Sequence, residues 1–336
     1  MRVGVIHGGI SSEYDVSVAS GQGIIESLRR IGHEPVPILI GPSGAWLAPT
    51  GRGRSEAIGA LLTCDVVVPA LHGVQGEDGT VQGLLEMLGL PYVGSGVRAS
   101  ALCLDKDLTK TIVSRAGVPV APGVAFDAAR VRRAIGSERE RSALLLELSH
   151  AGVQLPLFVK PVHGGSSIGV SRITDRADLP GALRAAGDGS VVIEAEVVGL
   201  EVDLPVLELP DGSLRCGPSL LIDSDPREPF FTEAAKYASE ATRFTIPAPI
   251  PPATARTLEE LALTAFAGLG CRGLARIDFF VTADGPVLGE VNTFPGFTAQ
   301  SQFPRMWAAA GISYDDLVDT LLQTALASSR STPVHA

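Results

Sequence analysis

Basic residues, cysteines and long apolar runs are all scarce in this sequence. Its 27 Lys and Arg residues are outnumbered by 37 Asp and Glu residues, which gives a formal net charge of -10. A general binder of nucleic acid or of anionic membranes needs a basic face, so the charge balance argues against both classes. The sequence also lacks the uninterrupted apolar run of about 18 residues that suggests a membrane span. A local cluster of Lys and Arg could still hold a phosphate.

The four cysteines are widely separated and form no Cys-x-x-Cys pair: Cys64, Cys103, Cys216 and Cys271. This spacing argues against a metal finger or a disulfide framework and is typical of a reducing compartment. Residues 2–6 already have the character of a strand, without the long apolar stretch and cleavage site of a signal peptide. We therefore expect a soluble cytoplasmic protein with no nucleic-acid or membrane partner.

What is present suits a compact α/β enzyme. The chain has 336 residues, 45% of them hydrophobic and 19% charged, which allows a sizeable core in two or three lobes. The first third alternates strand and helix signals, which predicts a doubly wound parallel sheet. The predicted strands are residues 3–7, 35–40 and 61–71, and the predicted helices are residues 16–30 and 83–88.

The remaining two thirds predict two further lobes beyond a hinge at residues 94–96. The proposed division is an N-terminal lobe 1–96, a central lobe 97–194, a C-terminal lobe 195–327 and a flexible tail 328–336. Within it, residues 226–252 form a candidate mobile loop. Helices are predicted at residues 100–117, 128–152, 254–269 and 314–327. Strands are predicted at residues 157–160, 170–173, 191–194, 201–207 and 214–222, with a hairpin formed by residues 274–281 and 287–291.

A glycine-rich turn follows the strand that ends at Lys160. Its sequence, residues 163–169, reads HGGSSIG. Backbone N–H groups exposed in such a turn wrap a phosphate, and Lys160 would neutralise the same charge. The alternative is a tight hairpin that binds nothing.

Two carboxylates and an amide are placed to meet on the predicted hairpin. Strand alternation puts Arg276 and Asp278 on the same face of the first strand of this hairpin. It likewise puts Glu290 and Asn292 on the same face of the second strand. If the two strands pair, three oxygen ligands converge in a set that suits Mg2+, with ATP phosphates completing the shell. The alternative is an exposed acidic hairpin neutralised by Arg276. Carboxylates on the inner face of apolar strands are costly unless paired or bound to metal, which favours the metal site.

Three more polar clusters follow strands. Gly296 lies in a turn directly after Asn292, where its N–H would face a developing oxyanion. Glu13 follows the first strand and would bind an ammonium, or would merely place a charge in the first turn of a helix. His72 opens a loop at the same sheet edge, a place where ligands of open α/β sheets bind, although turn-forming residues alone would explain that loop.

Together these motifs resemble the D-alanine–D-alanine ligases, in the order found in that family. The resemblance covers roughly residues 3 to 320. The matching segments are residues 7–17 (HGGISSEYDVS), 72–83 (HGVQGEDGTVQG), 91–106 (PYVGSG through Asp105-Lys106), 159–169 (VKP with the serine-glycine loop), 275–279 (ARIDF) and 290–298 (EVNTFPGFT). The set is far more specific than any one motif.

The resemblance implies an ATP-grasp fold, with ATP held between two sheets under the glycine-rich loop. ATP would phosphorylate the carboxylate of one D-alanine, and the amine of a second would displace the phosphate. Mg2+ is implied as the metal, with two ions expected and Mn2+ as a substitute, and a homodimer is the expected assembly.

Roles follow from the resemblance position by position. The implied catalytic residues are Glu13, Ser166, Tyr237, Arg276 and Gly296. The implied substrate-binding residues are Val16, His72, Ser301 and Gln302. The implied ATP contacts are Lys106, Lys160, Glu194 at the adenine, Glu201 at the ribose, and Lys236. The implied metal ligands are Asp278, Glu290 and Asn292.

Departures from the family pattern leave the second substrate open. Lys236 and Tyr237 are kept, which favours an amino acid over D-lactate. Gln302 stands where Leu or Met is common, so D-serine or D-lactate is an alternative to D-alanine. Tyr14 and Ala195 also differ from the usual residues. A nucleotide-binding protein without catalysis is a third hypothesis, opposed by the intact Arg276 set.

Overall fold

The computed structural model describes residues 1–223 and 243–331. Three β-sheets, each covered by helices, make up this part of the chain. The mixed α/β architecture agrees with the fold class expected from the sequence. None of its helices is both long and apolar enough to cross a membrane.

The first sheet has five strands in the order β4-β3-β2-β1-β5. Its parallel centre is β1 (Arg2–Gly8), β2 (Glu34–Ile40) and β5 (Val66–Leu71), and its antiparallel edge is β3 (Trp46–Ala48) and β4 (Gly51–Arg52). Every residue of β5 is buried, as expected for a parallel strand covered on both faces. The covering helices are α1 (Tyr14–Arg30), α2 (Arg54–Leu61) and α3 (Thr80–Met87). The parallel sheet predicted from alternation is confirmed.

The strand predicted at residues 61–71 was wrong in its first part. Leu61 is the last residue of α2, and β5 begins only at Val66. Leu61 is fully buried against the sheet from the helix. A short buried apolar run has no periodicity that separates helix from strand, which explains the error.

The second sheet has the order β6-β9-β7-β8. Its strands are β6 (Gly123–Phe126), β7 (Leu157–Pro161), β8 (Ser171–Ile173) and β9 (Val191–Ala195), and its helices are α6 (Ala128–Gly136), α7 (Glu138–His150) and α8 (Leu179–Ala185). The single helix predicted at residues 128–152 is two helices. Ser137 interrupts it because its backbone is extended and its hydroxyl caps α7 by accepting from Glu140 N.

The third sheet has the order β13-β12-β10-β14-β15, with β11 also on β10. Its strands are β10 (Leu200–Glu208), β11 (Leu214–Cys216), β12 (Leu220–Asp223), β13 (Arg243–Thr245), β14 (Leu274–Thr282) and β15 (Gly285–Asn292). The predicted hairpin of β14 and β15 is confirmed, and it pairs Arg276 with Asn292 and Asp278 with Glu290. The strand predicted at residues 214–222 is instead two short strands, β11 and β12.

Helices connect the sheets and close the chain: α4 (Val97–Leu104), α5 (Lys106–Arg115), α9 (Pro252–Leu269), α10 (Gln302–Ala309) and α11 (Tyr314–Ser331). The helix predicted at residues 100–117 is broken at Asp105, whose carboxylate accepts from the N–H groups of Asp107 and Leu108 and so starts α5. The final helix continues past residue 327 to Ser331. The division into lobes at residues 96 and 194 stays a prediction, and residue 194 lies within β9.

One buried cluster ties the C-terminal turn to the first sheet. Phe294 and Phe297 pack with Val5 and Val68 of that sheet and with Trp307 of α10. The turn that carries Gly296 is therefore held against the carboxyl edge of the first sheet, where Glu13 and His72 lie.

Candidate active site

Two cavities open between the sheets. The first cavity, of about 610 Å³, lies between the first sheet and the turn after β15. Residues from distant parts of the chain line it, among them Glu13, His72, Arg276, Gly296 and Ser301. The sequence predicted each of these as a site residue, and the structure brings them to one space.

The second cavity, of about 460 Å³, lies between the second and third sheets. Lys160, Glu194, Glu201 and Asp278 line it, and Phe279 and Leu288 supply apolar wall. Charged groups together with apolar wall suit a nucleotide, which has charged phosphates and an apolar base. The structure thus places four of the five residues predicted to contact ATP around one cavity: Lys106, Lys160, Glu194 and Glu201.

The two cavities share a boundary. Lys106, Gly164, Gly165 and Glu290 line both of them. A group bound in one cavity therefore meets a group bound in the other beside Glu290 and beneath the glycine-rich turn. Such a junction suits transfer of a group from one bound molecule to another.

Arg276 is held by two carboxylates at this junction. Its guanidinium donates to both oxygens of Asp278, at 2.8 Å each, and its Nε lies 3.3 Å from Asp203 Oδ2. Burial alone would lower the pKa of Arg276, but Asp278 and Asp203 outweigh it and raise that pKa well above its usual value. Arg276 is therefore a permanent, oriented positive charge facing the first cavity.

Asp203 was missed by the sequence analysis. It lies opposite Asp278 on β10 and is completely buried. Burial, followed by the neighbouring Asp278, raises the pKa of Asp203 well above its usual range. Strand alternation from Glu201, which was predicted as a site residue, would have placed Asp203 on the same face.

The predicted metal ligands lie together. Asn292 Nδ2 donates to Asp278 Oδ2 at 3.0 Å, and Glu290 is the cross-strand partner of Asp278. In the described ranges no three His, Cys, Asp or Glu side chains converge as a metal site by themselves. Two carboxylates and an amide are an incomplete oxygen shell, which fits a hard cation that takes its other ligands from phosphate and water.

The glycine-rich turn reaches back over the first cavity. Ser166 Oγ donates to Glu13 Oε1 at 2.5 Å, and Lys106 Nζ donates to Gly164 O at 2.5 Å. Ser166 and Ser167 have φ angles of 52° and 59°, in the left-handed region that L-residues rarely adopt. The strained turn is positioned by contacts from two other segments, and one of these contacts joins Ser166 to Glu13.

A buried ion cluster lies in the second cavity. Glu194 pairs with Lys110 and, at 2.9 Å, with Lys160. Burial would raise the pKa of Glu194, but the two lysines outweigh it and lower that pKa to about 2. Lys110 was missed, although its place four residues after Lys106 puts both on one face of α5.

Replacing Lys110 by Met should destabilise the fold, because it leaves the Glu194 carboxylate buried with Lys160 alone. We expect a loss of about 3 kcal/mol in the free energy of unfolding, measured by urea denaturation. The double variant Lys110→Met with Glu194→Gln should recover most of that loss, since it removes the buried carboxylate that has lost one of its two lysine partners. Equal losses in the single and double variants would contradict the ion-pair account. Arg115→Met, on the exposed part of the same helix, is the control.

Glu77 also lies in the first cavity and was not assigned a role from the sequence. Its carboxylate accepts from Gly73 N at 2.7 Å and from Phe294 N at 3.4 Å. Burial, followed by the charge of Glu13, raises the pKa of Glu77 to about 8. The motif Gly76-Glu77-Asp78-Gly79 could have indicated Glu77 as a site residue. Its turn-forming residues alone explain a loop, however, so the motif did not single out the glutamate.

The raised pKa of Glu77 predicts a pH-dependent stability. Between the ordinary pKa of 4.5 and a folded value of about 8, the folded chain holds a proton that the unfolded chain has released. The free energy of unfolding should therefore fall as pH rises through this window, by at most about 1.4 kcal/mol per pH unit. Urea denaturation from pH 5 to pH 8 measures the slope. Glu77→Gln should flatten it, and an unchanged slope in that variant would contradict the assignment.

The turn after β15 is hydrogen-bonded into a fixed shape. Ser301 Oγ accepts from Thr298 N at 3.0 Å, and Ser301 precedes the first turn of α10. A Cβ on Gly296 would lie 3.3 Å from Ser301 Oγ and 3.8 Å from Val16 Cγ1, so a side chain there would crowd Ser301 and contact Val16. Val16 and Gln302 also line the first cavity. Lys236 and Tyr237 lie outside the described residues.

Comparison with known proteins places the whole chain in one family. A family model described as the D-ala D-ala ligase C-terminus matches residues 112–323, and one described as the N-terminus matches residues 2–63 and 52–95. The D-alanine–D-alanine ligase of Nocardia farcinica is 41% identical over 97% of both chains, and that of Rhodococcus opacus is 39% identical over 97% of both.

Solved structures agree with this placement. The VanG D-Ala:D-Ser ligase from Enterococcus faecalis superposes with a TM-score of 0.80 at 31% identity, covering 96% of this chain and 99% of its own. The D-alanine–D-alanine ligase from Bacillus anthracis, complexed with ATP, gives a TM-score of 0.78 at 30% identity, covering 98% and 99%. The ordered motifs, the two adjoining cavities and these matches lead to one conclusion: this chain belongs to the D-alanine–D-alanine ligase family.

Proposed function

We propose that the protein ligates two D-alanines to D-alanyl-D-alanine at the expense of ATP, for the synthesis of peptidoglycan precursors. The observation that carries this proposal is the shared boundary of the two cavities, where Glu290, Lys106 and the glycine-rich turn line both. A nucleotide in the second cavity would present its terminal phosphate there to a carboxylate in the first.

ATP would occupy the second cavity. Lys106 and Lys160 supply positive charge for the phosphates, and N–H groups of the glycine-rich turn supply donors. Glu194 at the adenine and Glu201 at the ribose are supported by their places on the cavity wall. The ion pairs of Glu194 keep it ionised, so its oxygens remain acceptors.

Magnesium would be held by Asp278, Glu290 and Asn292. Their hard-oxygen chemistry and incomplete shell fit two ions shared with the phosphates, and Mn2+ would fit the same donors. When bound, the metal neutralises charge on the transferred phosphoryl group.

The first D-alanine would lie in the first cavity, its ammonium on Glu13. Its carboxylate oxygen attacks the terminal phosphorus of ATP, ADP leaves, and an acyl phosphate forms. The amine of the second D-alanine then attacks the acyl carbon, phosphate leaves with its bridging oxygen, and the amine loses a proton. Arg276 and the Gly296 N–H would stabilise the oxyanion of this second step.

Two further elements complete the site. Ser301 and the N-terminus of α10 would receive the carboxylate of the second D-alanine. Ser166 with Glu13, and Lys236 with Tyr237, would close over the bound substrates. Closure matters because an acyl phosphate exposed to water would hydrolyse.

A coupled assay tests the proposal. Phosphate release from ATP should depend on D-alanine and Mg2+, and mass spectrometry should show one D-alanyl-D-alanine per phosphate. Absence of turnover with any D-amino acid would contradict it. Tight ATP binding without dipeptide, even with Mg2+, would favour a nucleotide-binding protein without catalysis.

One observation favours a different second substrate. Gln302 lines the first cavity, and its buried Nε2 has no hydrogen-bond partner within the described residues. A hydroxyl oxygen, which D-serine and D-lactate carry and D-alanine lacks, would satisfy it, so D-serine or D-lactate is the second candidate. D-alanine, D-serine and D-lactate supplied together in one assay decide the matter, because the products differ in mass.

We also infer a cytoplasmic homodimer. The resemblance to the family supports this inference, together with the acidic composition and the scattered cysteines. Sedimentation equilibrium of the purified protein would show a mass of about twice 34.9 kDa.

A further inference from the structure

His72 uses both ring nitrogens within the protein. Nδ1 lies 3.0 Å from the carbonyl oxygen of Phe294, and Nε2 lies 3.1 Å from Ser20 Oγ. A carbonyl only accepts, so Nδ1 must carry a proton. Burial lowers the pKa of His72, which keeps the ring neutral and leaves Nε2 as the acceptor of the Ser20 hydroxyl proton.

Ser20 completes a closed chain of hydrogen bonds. It is completely buried on α1, and its Oγ accepts from the N–H of Phe297 at 3.0 Å. The chain runs from Phe297 N–H to Ser20, from Ser20 to His72, and from His72 to the carbonyl of Phe294. It starts and ends in one turn and encloses Pro295 and Gly296.

We propose that Ser20, acting through His72, is a positioning residue that aims the Gly296 N–H into the first cavity. The proposal rests on the proposed oxyanion role of Gly296. It also assigns His72 to the turn rather than to substrate binding, since both of its nitrogens are engaged. Phe294 and Phe297 are anchored separately in the hydrophobic cluster, so loss of the chain should loosen the direction of the N–H without unfolding the turn.

The hydrogen-bond chain makes a direct spectroscopic prediction. The protein has six histidines, and His72→Asn identifies the signals of His72 in nitrogen-15 spectra of the imidazole rings. At neutral pH we expect the neutral tautomer with the proton on Nδ1, the less common form in solution. A proton on Nε2, whether alone or with one on Nδ1, would overturn the chain as described. This measurement needs no turnover, so it stands apart from the proposed function.

Kinetics test the positioning role. Ser20→Ala should lower kcat by roughly ten- to a hundredfold, the effect of a small misplacement of a transition-state donor, and leave KM for ATP unchanged. The matched control is Ser27→Ala. Ser27 is also completely buried on α1, seven residues further along, but it donates to Asp315 Oδ1 at 2.6 Å, away from both cavities.

The outcomes separate a positioning role from a structural one. Ser20→Ala and Ser27→Ala should lose similar thermal stability, with only Ser20→Ala losing kcat. In the His72→Asn background, Ser20→Ala should cause little further loss, because the chain is already broken. Wild-type kcat in Ser20→Ala, or additive losses in the double variant, would overturn the proposal. If the wild-type protein makes no dipeptide, the proposed function fails while the tautomer result remains valid.

Discussion

Arg276→Met should lower kcat by about a hundred- to a thousandfold, the usual cost of removing a donor to a developing oxyanion. It should also reduce the free energy of unfolding by roughly 3–5 kcal/mol, because the Asp278 carboxylate is left buried without its bidentate partner. Steady-state kinetics and urea denaturation measure the two effects. Arg276→Lys should be intermediate in both, since it keeps the charge and loses the planar fork.

The matched control is Arg30→Lys. Arg30 makes the same two-point contact with a carboxylate, that of Asp315, but more than half of its side chain is exposed. Arg30→Lys should change neither kcat nor the free energy of unfolding appreciably, because exposed ion pairs contribute little to stability. If Arg276→Lys were equally silent, the guanidinium would not be acting as an oriented donor, and the assignment of Arg276 would be wrong.

Glu290→Gln should lower kcat by about a hundred- to a thousandfold and raise the Mg2+ concentration needed for half-maximal rate. Glutamine keeps the size of the side chain but removes the charge that a magnesium ligand supplies, which corresponds to roughly 3–4 kcal/mol of barrier. The rate as a function of Mg2+ concentration, at saturating ATP, is the measurement.

Asp284→Asn is the control for Glu290. Asp284 lies in the exposed turn of the same hairpin and away from both cavities. Its variant should keep the wild-type Mg2+ dependence. If Glu290→Gln also kept the wild-type Mg2+ dependence, the assignment of Glu290 as a metal ligand would be wrong.

Local patterns predicted much of the fold and of the site. The alternation around Arg276, Asp278 and Asn292 predicted which of these side chains share a face, because a strand has a fixed period of two. The turn between the two strands predicted the hairpin. The glycine after α9 marked the end of that helix, and Gly270 does adopt the left-handed conformation, with a φ of 71°. The metal-ligand role of Asp278 and Asn292 was inferred from their chemistry and the catalytic role of Arg276 from the resemblance, and these roles stay predictions.

Contacts between distant segments escaped prediction. Glu194 meets Lys110 across 84 positions, and Ser20 meets Phe297 across 277. Local sequence periodicity cannot predict such contacts, since they depend on how whole sheets and helices pack. Asp203 is an intermediate case, because its face was predictable from Glu201 but its contact with Arg276 was not.

The central claim is that the carboxylate of one substrate takes a phosphoryl group at the junction of the two cavities. D-alanine labelled with oxygen-18 in its carboxylate tests this directly. If an acyl phosphate forms, the oxygen that attacked phosphorus leaves with it, and mass spectrometry will find one oxygen-18 in each phosphate released. Phosphate free of the label, with dipeptide still produced, would contradict the account.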